Sequence, residues 1–191
     1  MVMSARERIL AAADRLFYDE GVRVVGVDRV VAESEVSRMT FYRHFPAKDD
    51  LVVAYVQRQL ERDQTSLRKL QEANKDDPAR VLLGVGDELF RAAAQRGFRG
   101  CPYLNVSVEY FQGDHPVRQA AQEHRRWFKA EVAGLLGRAG HAHPMTAAEQ
   151  LLMLRAGAMA IAGNNGWEKP MWDVFAQTWR SVVVDDAVET N

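Results

Sequence analysis

Apolar residues recur at helical spacing along most of this chain. Near the N-terminus, Ile9, Ala13 and Phe17 share one helix face, which predicts a helix that ends near Gly21. The same spacing predicts helices at about 48–73, 81–97, 103–111, 117–136, 146–162 and 170–184. No run alternates apolar and polar residues over the length of a strand. With two short helices between 21 and 48, the pattern predicts an all-α fold of about nine helices.

The two short helices are joined by a break. Val27, Val30 and Val31 give the first an apolar face. After the break, the Ser37 hydroxyl is a candidate N-cap for the second. The outward side of that second helix combines cations, hydroxyl groups, an aromatic ring and a methionine, in Arg38, Met39, Thr40, Tyr42, Arg43 and His44. Such a side suits the major groove of double-stranded DNA, because cations neutralise phosphates and hydroxyl groups donate to them.

Charge and apolar anchors support this orientation. Val36, Phe41 and Phe45 are predicted to hold the second helix on the core. The net charge of the chain is −1, yet the window from Val36 to Lys48 contains no acidic residue. A basic window in a near-neutral protein is typical of a local phosphate-binding surface.

The stretch from Arg6 to Leu51 contains the blocks ILAAADRLF, VSRMTFYRHF and KDDL, and it resembles the DNA-binding domain of the TetR family of bacterial regulators. The resemblance implies a helix at about 27–33, a recognition helix at about Arg38–His44 and a phosphate contact from Lys48. It also implies a C-terminal helical domain with a small-molecule pocket and a homodimer interface. Two recognition helices would then dock in successive major grooves of a pseudopalindromic operator.

The predicted DNA contacts are Ser37, Arg38, Met39, Thr40, Tyr42, Arg43, His44 and Lys48. Tyr42, Arg43 and Lys48 are predicted to contact DNA because their positions lie opposite the core face, and Tyr42 and Lys48 are assigned to phosphates. Arg38 and Thr40 are candidates for base recognition, and Met39 for contact with a thymine methyl group.

Two positions depart from the family pattern. Glu35 stands where the turn usually has glycine, and Val25 stands where threonine is frequent. A positive φ at the turn would strain a glutamate, and its negative charge would oppose phosphates. One alternative therefore stays open, a helical dimeric ligand-binding module with weakened DNA binding.

The last two predicted helices are apolar around most of their circumference, which exceeds what one chain can bury and favours a dimer. The predicted interface combines small or apolar side chains with large rings: Leu152, Ala156, Met159, Ala160, Gly163, Trp172, Phe175 and Trp179. Small residues let a partner helix approach closely, and large rings are enriched at interfaces.

A small-molecule pocket is expected in the same half of the chain. Its predicted lining is mostly apolar with a few polar groups: Phe90, Cys101, Tyr103, Asn105, Glu109, Trp127, Phe128 and Met153. The turn at Cys101 resembles a subgroup of the family in which some members respond to electrophiles through this cysteine. A thiol-based electrophile-sensing repressor is therefore a second alternative, and an inert buried thiol is the competing interpretation of Cys101.

Other classes of protein find no support in the sequence. It has no Gly-rich phosphate loop, nucleophile elbow or HExxH motif, so neither an enzyme nor a cofactor is predicted. His141 and His143 lie in a loop without a cysteine or carboxylate cluster, so no metal site is expected. A single cysteine and the lack of a signal peptide or membrane span predict a cytoplasmic protein.

The sequence divides into a helix-turn-helix DNA-binding domain at 1–47, a helical regulatory and dimerisation domain at 48–184 and a polar tail at 185–191. The predicted function is a ligand-responsive transcriptional regulator. It would be a repressor released from operator DNA by a small molecule of unknown identity.

Overall fold

The computed structural model describes residues 3–166 and 168–184. These residues form nine helices and no strand, which confirms the predicted all-α fold. The helices are α1 Ala5–Glu20, α2 Val27–Ser34, α3 Arg38–His44, α4 Lys48–Ala73, α5 Pro78–Ala93, α6 Pro102–Glu109, α7 Pro116–Arg138, α8 Pro144–Asn165 and α9 Lys169–Val184. The predicted tail at 185–191 lies outside the described residues.

Local capping explains where several helices begin. The Ser4 hydroxyl accepts a hydrogen bond from the backbone N–H of Glu7 at 3.2 Å and caps α1. The Asp77 carboxylate accepts from the N–H of Arg80 at 2.8 Å, directly before Pro78 opens α5. Helices α6, α7 and α8 also start at a proline. These four prolines therefore mark helix starts, where their restricted φ and missing N–H are tolerated.

The chain divides into two compact units. Unit 1 comprises Met1–Arg62 and Pro102–His124, and unit 2 comprises Asp63–Cys101 and Arg125–Asn191. This division does not follow the boundary expected at 47/48. Unit 1 includes the first part of α4 together with α6 and the start of α7, because residues distant in sequence pack with the helix-turn-helix.

The interior of unit 1 is apolar with a polar network at its edge. Phe17 of α1 packs edge-to-face on Tyr55 of α4, with ring centroids 5.6 Å apart. At the edge, Arg58 pairs with both Glu7 and Asp14. Burial raises the pKa of Asp14 despite the neighbouring guanidinium groups, so desolvation is the larger effect there.

The interior of unit 2 is built from α5, α7, α8 and α9, with Leu67 of α4, around three aromatic rings of α9. The ring centroids of Trp172 and Phe175 are 5.0 Å apart, and those of Phe175 and Trp179 are 5.4 Å apart. The indole Nε1 of Trp179 donates to the carbonyl oxygen of Leu82 at 2.9 Å. A Cβ at Gly86 would come within 2.9 Å of the Trp179 ring, so the indole lies directly on the α5 backbone.

These contacts correct the interface predicted for α9. Trp172, Phe175 and Trp179 are at most 3% exposed in the single chain, so a partner could bury almost nothing more of them. The sequence pattern identified an apolar helix face correctly, but the interior of unit 2 already covers that face.

Three predictions on α8 need the same correction. Leu152 and Met159 are buried in the single chain, and Leu152 belongs to the core of unit 2. At Gly163, an added Cβ would lie 2.7 Å from the backbone nitrogen of Gly100, so the missing side chain admits a loop of the same chain. Of the α8 residues predicted at the interface, Ala156 is half-buried and Ala160 is exposed.

Candidate nucleic-acid interface

Helix α3 begins with a well-formed cap. The Ser37 hydroxyl accepts a hydrogen bond from the backbone N–H of Thr40 at 3.1 Å, and the two side-chain oxygens lie 2.9 Å apart. Phe41 and Phe45 are buried in unit 1, with their ring centroids 6.1 Å apart. The apolar anchors thus fix which side of α3 faces solvent.

The solvent side of α3 carries most of the side chains predicted to contact DNA. Met39 is 79% exposed, and Arg38, Tyr42 and Arg43 are also exposed. The Tyr42 ring stands edge-to-face on Phe41, with centroids 5.3 Å apart, so its hydroxyl is held outward from the core. The face therefore presents cations, a hydroxyl group and a thioether together.

Arg38 already has a partner on α2. Its guanidinium Nη2 lies 3.1 Å from a carboxylate oxygen of Asp28, and both side chains are exposed. An exposed ion pair contributes at most about 1 kcal/mol. A phosphate or a base edge could therefore replace Asp28 at little cost.

Thr40, His44 and Lys48 are less exposed than the rest of the predicted set. All three are half-buried, and the Nζ of Lys48 lies 3.5 Å from the carbonyl oxygen of Arg23. Burial lowers the pKa of Lys48, while Asp49 and Glu109 oppose that shift. The ammonium group thus lies between the loop before α2 and two carboxylates.

Glu35 adopts the left-handed conformation at the turn between α2 and α3, with φ 52° and ψ 40°. It is the single non-glycine residue with positive φ in the described part of the chain. A side chain with a Cβ is disfavoured in this region by roughly 1–2 kcal/mol. The turn therefore keeps the geometry that glycine usually supplies, with some backbone strain.

Glu109 was predicted in the ligand pocket, and the structure places it elsewhere. Its carboxylate accepts hydrogen bonds from the backbone N–H groups of Val22 at 3.0 Å and Arg23 at 2.5 Å. These groups lie in the loop between α1 and α2, so the last residue of α6 is bonded to the helix-turn-helix. The partners are 87 and 86 residues apart in sequence, and no local pattern could have indicated the pairing.

Asp49 forms a second polar link within unit 1. Tyr110 donates its hydroxyl hydrogen bond to Asp49 at 2.8 Å, and Nε2 of His115 lies 3.3 Å from the other carboxylate oxygen. Burial and then the Asp49 carboxylate raise the pKa of Tyr110, so its hydroxyl keeps the proton that it donates. Together with Glu109, this link joins α4, α6 and the start of α7 to the DNA-binding helices.

The other predicted pocket residues fall in both units. In unit 1, Tyr103 is buried and stacks on His124 with ring centroids 3.5 Å apart, whereas Asn105 is exposed. In unit 2, Cys101 and Phe128 are both buried and both contact Arg155.

Three further pocket candidates have separate surroundings in unit 2. Trp127 is half-buried beside Phe128. Met153 is 59% exposed on the outer side of α8, so it does not line an interior pocket of unit 2. Phe90 lies edge-to-face on Trp172 and lines a groove of about 370 Å³ between α5 and α9.

None of the helices over the described residues combines the length and hydropathy that a membrane crossing requires. The same residues include no group of three or more His, Cys, Asp or Glu side chains that could hold a metal ion.

Comparison with known proteins agrees with this geometry. A family model described as bacterial regulatory proteins, tetR family, matches residues 9–55. SCO4454, a TetR-family transcriptional regulator from Streptomyces coelicolor, is 35% identical in sequence, with 95% of each chain covered and a TM-score of 0.88.

Two curated relatives extend the comparison. The transcriptional repressor NemR of Escherichia coli is 23% identical over 191 residues, or 96% of each chain, and the structure of its reduced form has a TM-score of 0.79. The regulator LmrA of Bacillus subtilis is 26% identical over 125 residues, which cover 64% of this chain. The chain thus spans 66% of the length of LmrA, just under two thirds.

The capped α3, its exposed cationic face and the helical remainder define a helix-turn-helix protein with a second, all-helical unit. Among helix-turn-helix proteins, the similarity to SCO4454 extends over nearly the whole of both chains and so includes the second helical unit. The chain belongs to the TetR family of bacterial transcriptional regulators.

Proposed function

We propose that this protein is a ligand-responsive, DNA-binding transcriptional repressor that acts as a homodimer in the cytoplasm. The observation that carries the proposal is the outward face of α3, where Arg38, Tyr42 and Arg43 are exposed beside the N-cap at Ser37. Tyr42, Arg43 and Lys48 would contact phosphates, and Arg38, Met39 and Thr40 would face base edges. His44 is half-buried and would lie at the edge of the contact.

A DNA-binding assay on the region upstream of the protein's own gene tests this proposal. Arg43→Ala should weaken binding to all sequences alike and reduce the salt dependence of the affinity by about one phosphate contact. Arg80→Ala is the matched control, because it removes the same charge from an exposed position in unit 2. Equal affinity of the Arg43 and Arg80 variants would refute the assigned face. Failure of the unmodified protein to bind would favour the module with weakened DNA binding, in which Glu35 opposes phosphates.

The dimer interface that we propose uses the side of α8 that unit 2 leaves exposed. Met153, Gly157, Ala160 and Ile161 follow helical spacing on this side, and Val174 of α9 is also exposed. Apolar side chains at such positions favour a partner surface. Half-buried Ala156 lies beside them.

Sedimentation analysis of Ile161→Glu tests this interface. A buried carboxylate would oppose association, so the variant should sediment as a monomer and lose affinity for a two-fold operator. Val108→Glu places the same charge on an exposed valine of α6 and should leave the dimer intact. A dimeric Ile161→Glu variant would refute the assignment.

The regulatory step would couple a small molecule in unit 2 to the spacing of the two recognition helices. Helix α4 continues along the chain from unit 1 into unit 2, so a shift of α4 can transmit the change. The ligand must then bind the released conformation more tightly by a few kcal/mol.

Thiol sensing through Cys101 is the second candidate function. It is supported by the guanidinium of Arg155, whose Nη1 lies 3.7 Å from the cysteine sulfur. Under this alternative, Cys101→Ser abolishes the response to electrophiles while DNA binding stays intact. An electrophile response that survives Cys101→Ser would exclude it.

A further inference from the structure

Arg155 is a buried cation in the middle of α8. The residue is 7% exposed, and neither of the two side chains that contact it, Cys101 and Phe128, is a carboxylate. Its Nη1 donates to the sulfur of Cys101 at 3.7 Å, and its guanidinium carbon lies 5.1 Å from the centre of the Phe128 ring. Within residues 3–166 and 168–184, no carboxylate forms an ion pair with it.

This arrangement is unusual in energetic terms. An arginine side chain stays charged in proteins, and buried charges are normally paired with an opposite charge. A thiol is a weak acceptor and a ring face is a weak substitute for an anion. The side chain of Arg155 is therefore largely buried without a carboxylate partner that would offset its burial.

We propose that Arg155 binds the carboxylate of an organic acid whose remaining part is apolar, and that this acid is the effector of the protein. This assignment of an organic acid rests on one part of the proposed repressor function, namely that unit 2 binds a small-molecule effector. The planar fork of a guanidinium matches a carboxylate with two parallel hydrogen bonds. A carboxylate would replace the weak contact to Cys101.

The backbone around Arg155 holds the site in place. Arg155, Met159 and Gly163 are spaced by four residues and lie on one side of α8. An added Cβ at Gly100 would lie 3.1 Å from the carbonyl oxygen of Met159, so the loop before α6 packs directly on this side. The loop residue Cys101 and the guanidinium are thus positioned by close backbone packing, which lowers the entropy cost of binding.

The surroundings of Arg155 favour an acid with an apolar body. Phe128, Leu152 and Met159 are buried hydrophobic side chains of unit 2. An apolar body gains from contact with such side chains, whereas a small hydrated inorganic anion does not. The expected ligand class is therefore an aliphatic or aromatic carboxylic acid.

Thermal unfolding of the full chain in the absence of DNA tests the site. The probes are octanoate, benzoate and 2-naphthoate, each beside its neutral amide, with inorganic phosphate as a further arm. At least one acid should raise the melting temperature in a dose-dependent way, and its amide and phosphate should not. An amide equal to its acid, a response to phosphate alone, or no response to any acid would overturn the proposal.

Variants at Arg155 separate binding from folding. Arg155→Met should weaken acid binding at least tenfold without lowering the melting temperature of the unliganded protein, because an unpaired buried charge is removed. Arg138→Met, at an exposed position of α7, should bind the acid normally. A large loss of unliganded stability in Arg155→Met would indicate a structural role and overturn the proposal. Arg155→Lys keeps the charge and should keep the preference for acid over amide at reduced affinity, and loss of that preference would also count against the site.

A DNA-release assay distinguishes this proposal from the proposed function. An acid that binds through Arg155 should lower the affinity of the unmodified protein for its operator. Binding of the acid with unchanged operator affinity would overturn its assignment as the effector and leave DNA binding intact. Failure to bind DNA at all would refute the repressor function, while the acid-binding measurement would stand on its own.

Discussion

The two sites proposed here differ in how the chain assembles them. In unit 1 the outward face of α3 comes from seven consecutive residues, held by a local cap and two buried rings. In unit 2 the surroundings of Arg155 combine residues from three separate segments, and Cys101 is 54 positions away from Arg155. An exposed site on one short helix is defined by local sequence, whereas an interior site depends on packing between distant segments.

Truncation of a buried tryptophan in unit 2 should have the largest effect on stability. Trp179→Ala removes an indole that is 2% exposed and donates to Leu82, so the free energy of unfolding should fall by about 3–5 kcal/mol. Urea unfolding followed by circular dichroism, at fixed protein concentration, measures the loss. Arg180→Ala, at the adjacent exposed position, should change stability by no more than about 0.5 kcal/mol. A loss below about 1 kcal/mol for Trp179→Ala would contradict the packing described for unit 2.

The next largest effect should come from the long-range polar link of unit 1. Glu109→Ala leaves the N–H groups of Val22 and Arg23 without their carboxylate, at a cost of about 1–3 kcal/mol. Glu109→Gln keeps one acceptor oxygen and should lose less. Hydrogen exchange at the two amides should accelerate in the order unmodified, Gln, Ala.

Glu123→Ala is the control for this series, because Glu123 is an exposed carboxylate of α7 in unit 1. Its unfolding free energy and the exchange at Val22 should match those of the unmodified protein. Equal exchange at Val22 in the Glu109 and Glu123 variants would show that the link does not hold the loop.

The sequence indicated where the helices lie, but not which surface covers their apolar faces. Helix spacing and the Ser37 cap predicted the helices closely, because each signal acts within a few residues of the boundary that it sets. Spacing also predicted the apolar faces of α8 and α9. It could not tell whether the same chain or a partner covers Trp172, because both give the same periodicity.

The candidate site residues also differ in whether nearby sequence or distant contacts determine their position. The side of α3 that carries Tyr42 followed from the buried positions of Phe41 and Phe45 a few residues away. Glu109 was assigned to a pocket, because nothing near it in sequence identifies an acceptor for amides 86 and 87 residues away. Arg155 was not singled out, since one arginine on an apolar helix has no local sign of being unpaired.

A gain of stability is expected at the turn before α3. Glu35 has φ 52°, so Glu35→Gly should relieve strain and stabilise the protein by about 1 kcal/mol, or roughly 2–4 °C in melting temperature. Glu35→Gln removes the charge but keeps the strained conformation, so its melting temperature should stay near that of the unmodified protein. Both variants should bind DNA more tightly, since both remove a negative charge near phosphates. Equal melting temperatures for the two variants would show that the left-handed conformation carries no penalty here.

The smallest effect on stability should come from the exposed ion pair between Arg38 and Asp28. A double-mutant cycle with Arg38→Ala and Asp28→Asn should give a coupling free energy of about 0.2–1 kcal/mol, because solvent screens both charges. The effect on DNA binding should be larger and of opposite sign in the two single variants. Asp28→Asn frees the guanidinium and removes a negative charge, so operator affinity should rise, whereas Arg38→Ala should lower it. The opposite result would be a coupling free energy well above 1 kcal/mol with operator affinity unchanged in both single variants. Arg38 would then stabilise the fold, and other residues of α3 would recognise the DNA.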